Sequence, residues 1–194
     1  MQLTITDLAL ERGGWRLFEG LRLEAPPGAH VALTGPNGAG KTSLLRAIAG
    51  FLRPSAGTIA FGDEDRETRL HFLGHRDGLK APLDARAHLR FWADLLGGEA
   101  ADAVLERVGL GRVADLPART LSAGQGRRLA LARLLASPRP LWLLDEPAAS
   151  LDAAGKALLE RLIADHCADG GIVVAAVHEP LGAPTQTVAL GTPS

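Results

Sequence analysis

The segment Gly35-Pro36-Asn37-Gly38-Ala39-Gly40-Lys41-Thr42 constrains this chain more than any other stretch. It follows a short apolar run, Val31-Ala32-Leu33, and opens a stretch from Lys41 to Ala49 that reads as a helix stopped by Gly50. Every specified position of the pattern G-x-x-x-x-G-K-[ST] is satisfied, between a strand and a helix, which is the context in which the pattern holds phosphate. Gly38 and Gly40 permit backbone torsions, and a closeness of approach, that a side chain would block. Loop amides and the helix N-terminus can then surround a β-phosphate. Lys41 brings a flexible point charge to the β- and γ-phosphates, and the Thr42 hydroxyl can ligate Mg²⁺. Gly35, Pro36, Asn37, Gly38, Ala39, Gly40, Lys41, Thr42 and Ser43 are therefore the candidate nucleotide-binding run.

The loop selects nucleotide hydrolases and kinases of the P-loop kind without choosing among them. A second motif narrows the choice. Leu141-Trp142-Leu143-Leu144 is a continuous apolar run, as a strand buried on both faces requires, and it ends in Asp145 and Glu146. Asp145 is placed to hold Mg²⁺ through water, and Glu146 to orient or deprotonate an attacking water.

Composition removes several other classes. The 194 residues are one domain's worth, and 46% hydrophobic content suits a packed core. A net charge of −1 offers no basic excess for nucleic acid, and 4% aromatics without tyrosine make a base-stacking platform a poor reading. Cys167 is the single cysteine, so an internal disulfide and a cysteine-rich metal site are both excluded. The longest apolar stretches, such as Ile172–Val177, fall far short of the roughly 20 residues of a membrane-crossing helix. The first residues lack the basic and apolar regions of a signal peptide.

Strand-like and helical segments alternate along the chain. Strands are expected around Leu3–Leu8, at Leu21–Ala25, Val31–Leu33, Thr58–Gly62, Leu141–Leu144 and Ile172–Val177, with a helix around Ala153–Ala168. The middle, roughly 81–136, is mostly helical by pattern, with Leu89, Trp92, Leu95 and Leu96 at helical spacing. This order predicts an α/β fold with a mainly parallel core sheet and an inserted helical subdomain, all within one domain over 1–194.

Leu121-Ser122-Ala123-Gly124-Gln125 resembles the signature of ATP-binding-cassette (ABC) ATPases, usually L-S-G-G-Q, with Ala123 replacing a glycine. Ser122 can cap the helix that follows and leave its N-terminus open to an anion. Ser150-Leu151-Asp152 resembles the loop through which protomers of that family meet, although Ser150 and Asp152 read equally well as helix caps. His178 resembles the family's switch histidine, which contacts the γ-phosphate and the residue equivalent to Glu146. The resemblance implies a nucleotide-binding subunit of an ABC transporter, with an antiparallel β subdomain at the N-terminus beside the parallel core, and with ATP sandwiched between two copies. One copy would supply Lys41, Thr42 and Asp145, and the other Ser122, Gly124 and Gln125.

Leu73-Gly74-His75-Arg76-Asp77-Gly78-Leu79-Lys80 places His75 where most such subunits carry a glutamine that couples to the membrane partner. With Leu83, Ala85, Leu89 and Phe91, with the phosphate loop and signature as they stand, and with little sequence beyond His178, the chain is similar to the ATP-binding subunits of cytochrome c maturation (the CcmA type of haem-exporter ATPase). That resemblance implies an ATPase using ATP and Mg²⁺ for haem export or delivery, with His75 a third candidate catalytic residue beside Glu146 and His178. It would sit peripherally on the cytoplasmic face of the bacterial inner membrane and energise integral-membrane subunits, with no nucleic-acid partner. His71 and His88 read as loop or surface residues, and there is no haem-ligation motif. The family aromatic that stacks on adenine falls near Arg12 here, so Trp15, Arg12 or neither takes that place. Other small ABC exporters or importers, a P-loop small-molecule kinase and a soluble ABC protein of repair or translation are the alternatives. The kinase leaves Ser122–Gln125 without a role, and the soluble proteins carry coiled-coil insertions or two phosphate loops that are missing here.

Overall fold

A computed structural model describes residues 1–62, 70–98, 101–179 and 181–191. In chain order the elements are β1 (Leu3–Arg12), β2 (Trp15–Ala25), β3 (His30–Thr34), α1 (Lys41–Ile48), β4 (Ala56–Ala60), β5 (Leu70–Leu73), α2 (Ala85–Leu96), α3 (Ala101–Arg107), α4 (Ala123–Ala136), β6 (Leu141–Asp145), α5 (Ala153–Ala168), β7 (Ile172–Ala176) and β8 (Gln186–Ala189). The chain divides into two compact units. The first comprises Met1–Phe72, Arg139–Glu146 and Leu162–Ser194, and the second Leu73–Pro138 and Pro147–Arg161.

The first unit contains an antiparallel sheet in the order β2-β1-β4. Leu3, Ile5, Leu8 and Leu10 of β1 are all buried, although an unbroken strand would turn Leu8 to the opposite face from Ile5. Asp7, with φ 48°, absorbs the difference, and the pairing with β2 shifts register between Ile5 and Leu8. The five-stranded sheet runs β5-β6-β7-β3-β8. Its pairs β3·β7, β6·β7 and β3·β8 are parallel. Every residue of β6 and β7 is buried, which explains their unbroken apolar runs. Each Leu, Ile or Val so buried contributes about 1.5–3 kcal/mol relative to exposure.

Two strands escape the sequence reading. β5 has only four residues, Leu-His-Phe-Leu, and β8 is an edge strand, Gln-Thr-Val-Ala, exposed over most of its length. Neither is long or apolar enough to stand out, and both exist because a neighbouring strand offers free hydrogen-bonding groups. β2 also begins earlier than expected, at Trp15.

The second unit has its own core, in which Ala85 and Leu89 of α2 meet Val104, Leu105, Leu110 and Leu129. Asp84 caps α2 by accepting from the Ala87 amide at 2.6 Å, and Gly97 ends it in the left-handed region. His88 is buried in α2 rather than on the surface, and its Nε2 accepts from the Trp92 indole at 3.3 Å. That bond requires a neutral imidazole. Burial, then the cations Arg133 and Lys80, push the His88 pKa down to about 4. His71 likewise lies buried in β5. Both histidines read as loop or surface residues are thus buried, whereas His75 is exposed.

Candidate functional site

In the first unit, the parallel strands β3, β6 and β7 all end at one edge of the sheet, so the segments that follow them collect there. The loop after β3 turns into α1 at Gly40, which has φ 98° at the N-cap. Gly35, at the start of the loop, is more constrained: φ is 132°, and a β-carbon there would lie 2.2 Å from the Leu190 carbonyl oxygen. The amides of the first turn of α1 have no partner within the helix, which makes them donors for an anion. Lys41 is buried at 7% exposure and folds back over the loop, donating from Nζ to the carbonyls of Gly35 at 2.6 Å and Pro36 at 3.1 Å. A phosphate oxygen would compete for that ammonium with a full negative charge.

Thr42 lies in the first turn of α1, and its hydroxyl donates to Asp145, with Oγ1 3.0 Å from both carboxylate oxygens. Asp145 is the last residue of β6 and is 4% exposed. A hydroxyl and a buried carboxylate converging in this way form a set of hard oxygen donors, which suits Mg²⁺ and would not suit a soft metal. The next residue, Glu146, has φ 49°, and its amide donates to the Ala176 carbonyl at 3.0 Å. A left-handed non-glycine residue costs on the order of 1 kcal/mol or more, and here the bond to β7 holds it. His178, two residues past β7, places Nε2 3.2 Å from Glu146 Oε1. Glu146, His178, Asp145, Thr42 and Lys41 thus assemble within one unit from three separate stretches of sequence.

A cleft of about 630 Å³ extends from the phosphate loop and is lined by Arg12, Trp15, Leu17, Arg46 and Glu146 as well as by residues 36–43. Arg12 and Trp15 are cross-strand partners at the turn between β1 and β2, and Trp15 is 69% exposed. Both candidates for the base therefore line the cleft.

The second unit holds the other sequence-derived candidates. Ser122 caps α4 through a reciprocal box: its hydroxyl oxygen accepts from the Gln125 amide at 3.2 Å, and Gln125 Oε1 accepts from the Ser122 amide at 2.9 Å. The Ser122 hydroxyl keeps its own proton for an anion at the helix terminus. A β-carbon on Gly124 would lie 3.2 Å from the Ser150 carbonyl oxygen, so Gly124 packs closely on that loop. Ser150 has φ 65° and is exposed, and Asp152 caps α5 by accepting from the Gly155 amide at 2.8 Å. Of the pair read alternatively as caps, Asp152 is one. His75 lies on the exposed segment that follows β5.

One residue of this unit, which the sequence offers only as part of the Arg127-Arg128 pair following the signature in the family resemblance, takes a role that the sequence did not assign. Arg127, 2% exposed in the second turn of α4, donates to the Pro147 carbonyl, the Gly74 carbonyl and the Asp77 carboxylate. An arginine within the Arg127-Arg128 pair reads as surface from sequence, and only its burial and its partners reveal otherwise.

A phosphate loop between strand and helix, a strand-end carboxylate bonded to its threonine, and a helix whose capped start carries Leu121–Gln125 define the class of P-loop nucleotide-binding proteins built like ABC ATPases. The description "ABC transporter" matches residues 18–149. The chain is 51% identical to the cytochrome c biogenesis ATP-binding export protein CcmA of Rhodopseudomonas palustris strain HaA2, over 98% of both chains. It is 51% identical to the protein of that name from Bradyrhizobium diazoefficiens, again over 98% of both. Among solved structures, an ATP-binding protein from Pyrococcus furiosus assigned to the ABC transporters superposes with a TM-score of 0.87 at 24% identity, covering 98% of each chain. An ATP-binding subunit of an ABC transporter gives 0.81 over 91% of this chain and 80% of the other, also at 24% identity. The chain belongs to the ABC transporter ATP-binding family, in its CcmA branch. Among the described residues, no helix is long and apolar enough to cross a membrane.

Proposed function

We propose that this chain is the ATP-hydrolysing subunit of a bacterial export complex serving cytochrome c biogenesis. It would act as a peripheral protein on the cytoplasmic face of the inner membrane and drive integral-membrane subunits. Near full-length relatives that carry this description support the process. The observation that carries hydrolysis is the 3.2 Å contact of His178 with Glu146, beside the Thr42–Asp145 pair.

Each group has a task. The loop amides and Lys41 bind the β- and γ-phosphates of ATP. Mg²⁺, held by Thr42 and by Asp145 directly or through water, would supply positive charge to the phosphate oxygens. Glu146 orients a water and takes its proton as the water oxygen bonds to the γ-phosphorus and the bond to the leaving ADP oxygen breaks. His178 fixes the Glu146 carboxylate and offers a donor to the γ-phosphate. Ser122, Gly124 and Gln125 present the N-terminus of α4 to the γ-phosphate bound by a second copy, and Ser150 and Asp152 form the loop that meets that copy. His75 couples the site to the membrane subunits, and Trp15 or Arg12 covers the base. A single domain with a helical subdomain over roughly 81–136 belongs to the same reading.

The test replaces the gene in its host with the Glu146→Gln form and stains for covalent c-type cytochromes. Bands disappear and return with wild-type protein if the reading is right. Unchanged bands, with the variant as the sole copy, would detach this ATPase from cytochrome c biogenesis.

A further inference from the structure

We infer that Arg127 is a positioning residue that makes the His75 segment, the α4 helix and the turn after Glu146 move as one body. Its guanidinium joins three stretches that are distant in sequence. Nε donates to the Pro147 carbonyl at 3.0 Å, while Nη1 donates to the Gly74 carbonyl at 3.2 Å and to Asp77 Oδ1 at 2.7 Å. Pro147 follows Glu146 in the chain, Gly74 precedes His75, and Arg127 itself lies two residues past Gln125. The charge is 2% exposed and its partner Asp77 is 28% exposed, so water does not screen the pair as it would a surface bridge.

The chemistry demands arginine. A planar fork can address two carbonyls and a carboxylate from fixed directions, whereas a lysine presents one nitrogen on a flexible stem. Packing reinforces the link, because a β-carbon on Gly126 would lie 3.4 Å from Leu79 Cδ1 and 3.8 Å from Asp77 Oδ2. A displacement of the segment carrying His75 therefore pulls on α4 and on Pro147 together. Breaking the link leaves each part folded but lets each take its own position. Binding of ATP, which uses the phosphate loop, is untouched, while turnover, which needs the parts aligned, falls.

The inference rests on the ATPase reading for its kinetic arm alone. Full-length Arg127→Lys, Asp77→Asn and the double variant are compared with wild type by hydrogen exchange and by steady-state ATP hydrolysis. Asp77 is the more exposed partner, so its variant keeps the test open should Arg127→Lys not fold. The expected result is exchange about ten-fold faster in residues 74–79 and 147–151, with α1 unchanged, in each single variant. With it comes a kcat loss of about ten-fold, an ATP KM within about two-fold of wild type, and no added loss in the double variant. Faster exchange confined to α4, kcat losses that multiply, or an unchanged kcat would each overturn it. Wild type that binds ATP without hydrolysing it would instead remove the ATPase reading, and the exchange data would still decide the role of Arg127.

Discussion

Replacing Thr42 with valine isolates one hydroxyl in the middle of the site. The two side chains are near-isosteric and both β-branched, so helix propensity and packing change little. What is lost is the bond from Oγ1 to the Asp145 carboxylate, whose oxygens both lie 3.0 Å away. A hydrogen bond to a charged group is worth about 1.5–3 kcal/mol. Asp145 is 4% exposed, so water does not replace the donor easily. For a domain of this size each kcal/mol moves Tm by about 2–4 °C, which gives a fall of about 3–12 °C for Thr42→Val without nucleotide. Thr42→Ser keeps the hydroxyl and should recover most of it. The same variants then report on the metal. ATP at one hundred times its Kd adds about 2.7 kcal/mol, and the part of that increment that depends on Mg²⁺ should vanish in Thr42→Val and survive in Thr42→Ser. Thermal melts with and without ATP, Mg²⁺ or both supply every number. A Thr42→Val protein that melts within about 1 °C of wild type would refute the energetic argument. An undiminished Mg²⁺ increment would refute the ligand assignment.

Gly35→Ala should cost more stability than Gly38→Ala, because its β-carbon would lie 2.2 Å from the Leu190 carbonyl oxygen whereas nothing lies within 4 Å of one on Gly38. Leu190 also donates to Thr34 at the end of the β3·β8 pairing, so equal melting temperatures for the two variants would show that this edge yields freely. Stability should fall with acid through His88. Its folded pKa of about 4 lies below the unfolded value near 6.5, so the unfolded chain binds the extra proton and about 3 kcal/mol is lost between those pH values. Denaturant titrations of His88→Gln across that range should show a flatter pH profile, and an unchanged profile would assign the acid sensitivity elsewhere. Nucleotide binding should quench or shift Trp15 fluorescence, and Trp15→Ala should weaken ATP binding by roughly ten-fold if the indole stacks on the base. No change in either signal would leave the base to Arg12.

Local patterns carried much of this protein into view. The phosphate loop is contiguous, its glycines and lysine act through backbone within a few residues, and its meaning does not depend on what packs around it. The apolar runs that became β6 and β7 also speak for themselves, because a strand buried on both faces can be little else. The cap at Ser122 was legible as a local relation, whereas the return bond from the Gln125 side chain that completes the box came only with the structure. The signal fails where a residue's role comes from a partner far along the chain. β5 and β8 owe their existence to neighbouring strands. His71 and His88 look like any polar residue in a mixed segment, and only packing decides that they are buried.

The sequence by itself determined the nucleotide loop, the acidic strand end, the alternation of the main strands and helices, and the family, because these depend on spacing along the chain. Tertiary structure alone decided that the Thr42 hydroxyl donates to Asp145 and that Arg127 is a buried tie rather than a surface charge. Those relations are set by which strand ends lie side by side in a parallel sheet and by which loops pack on one helix. Pairings that span 50 residues, as between Arg127 and Asp77, or 103, as between Thr42 and Asp145, leave no periodicity for a one-dimensional reading to detect.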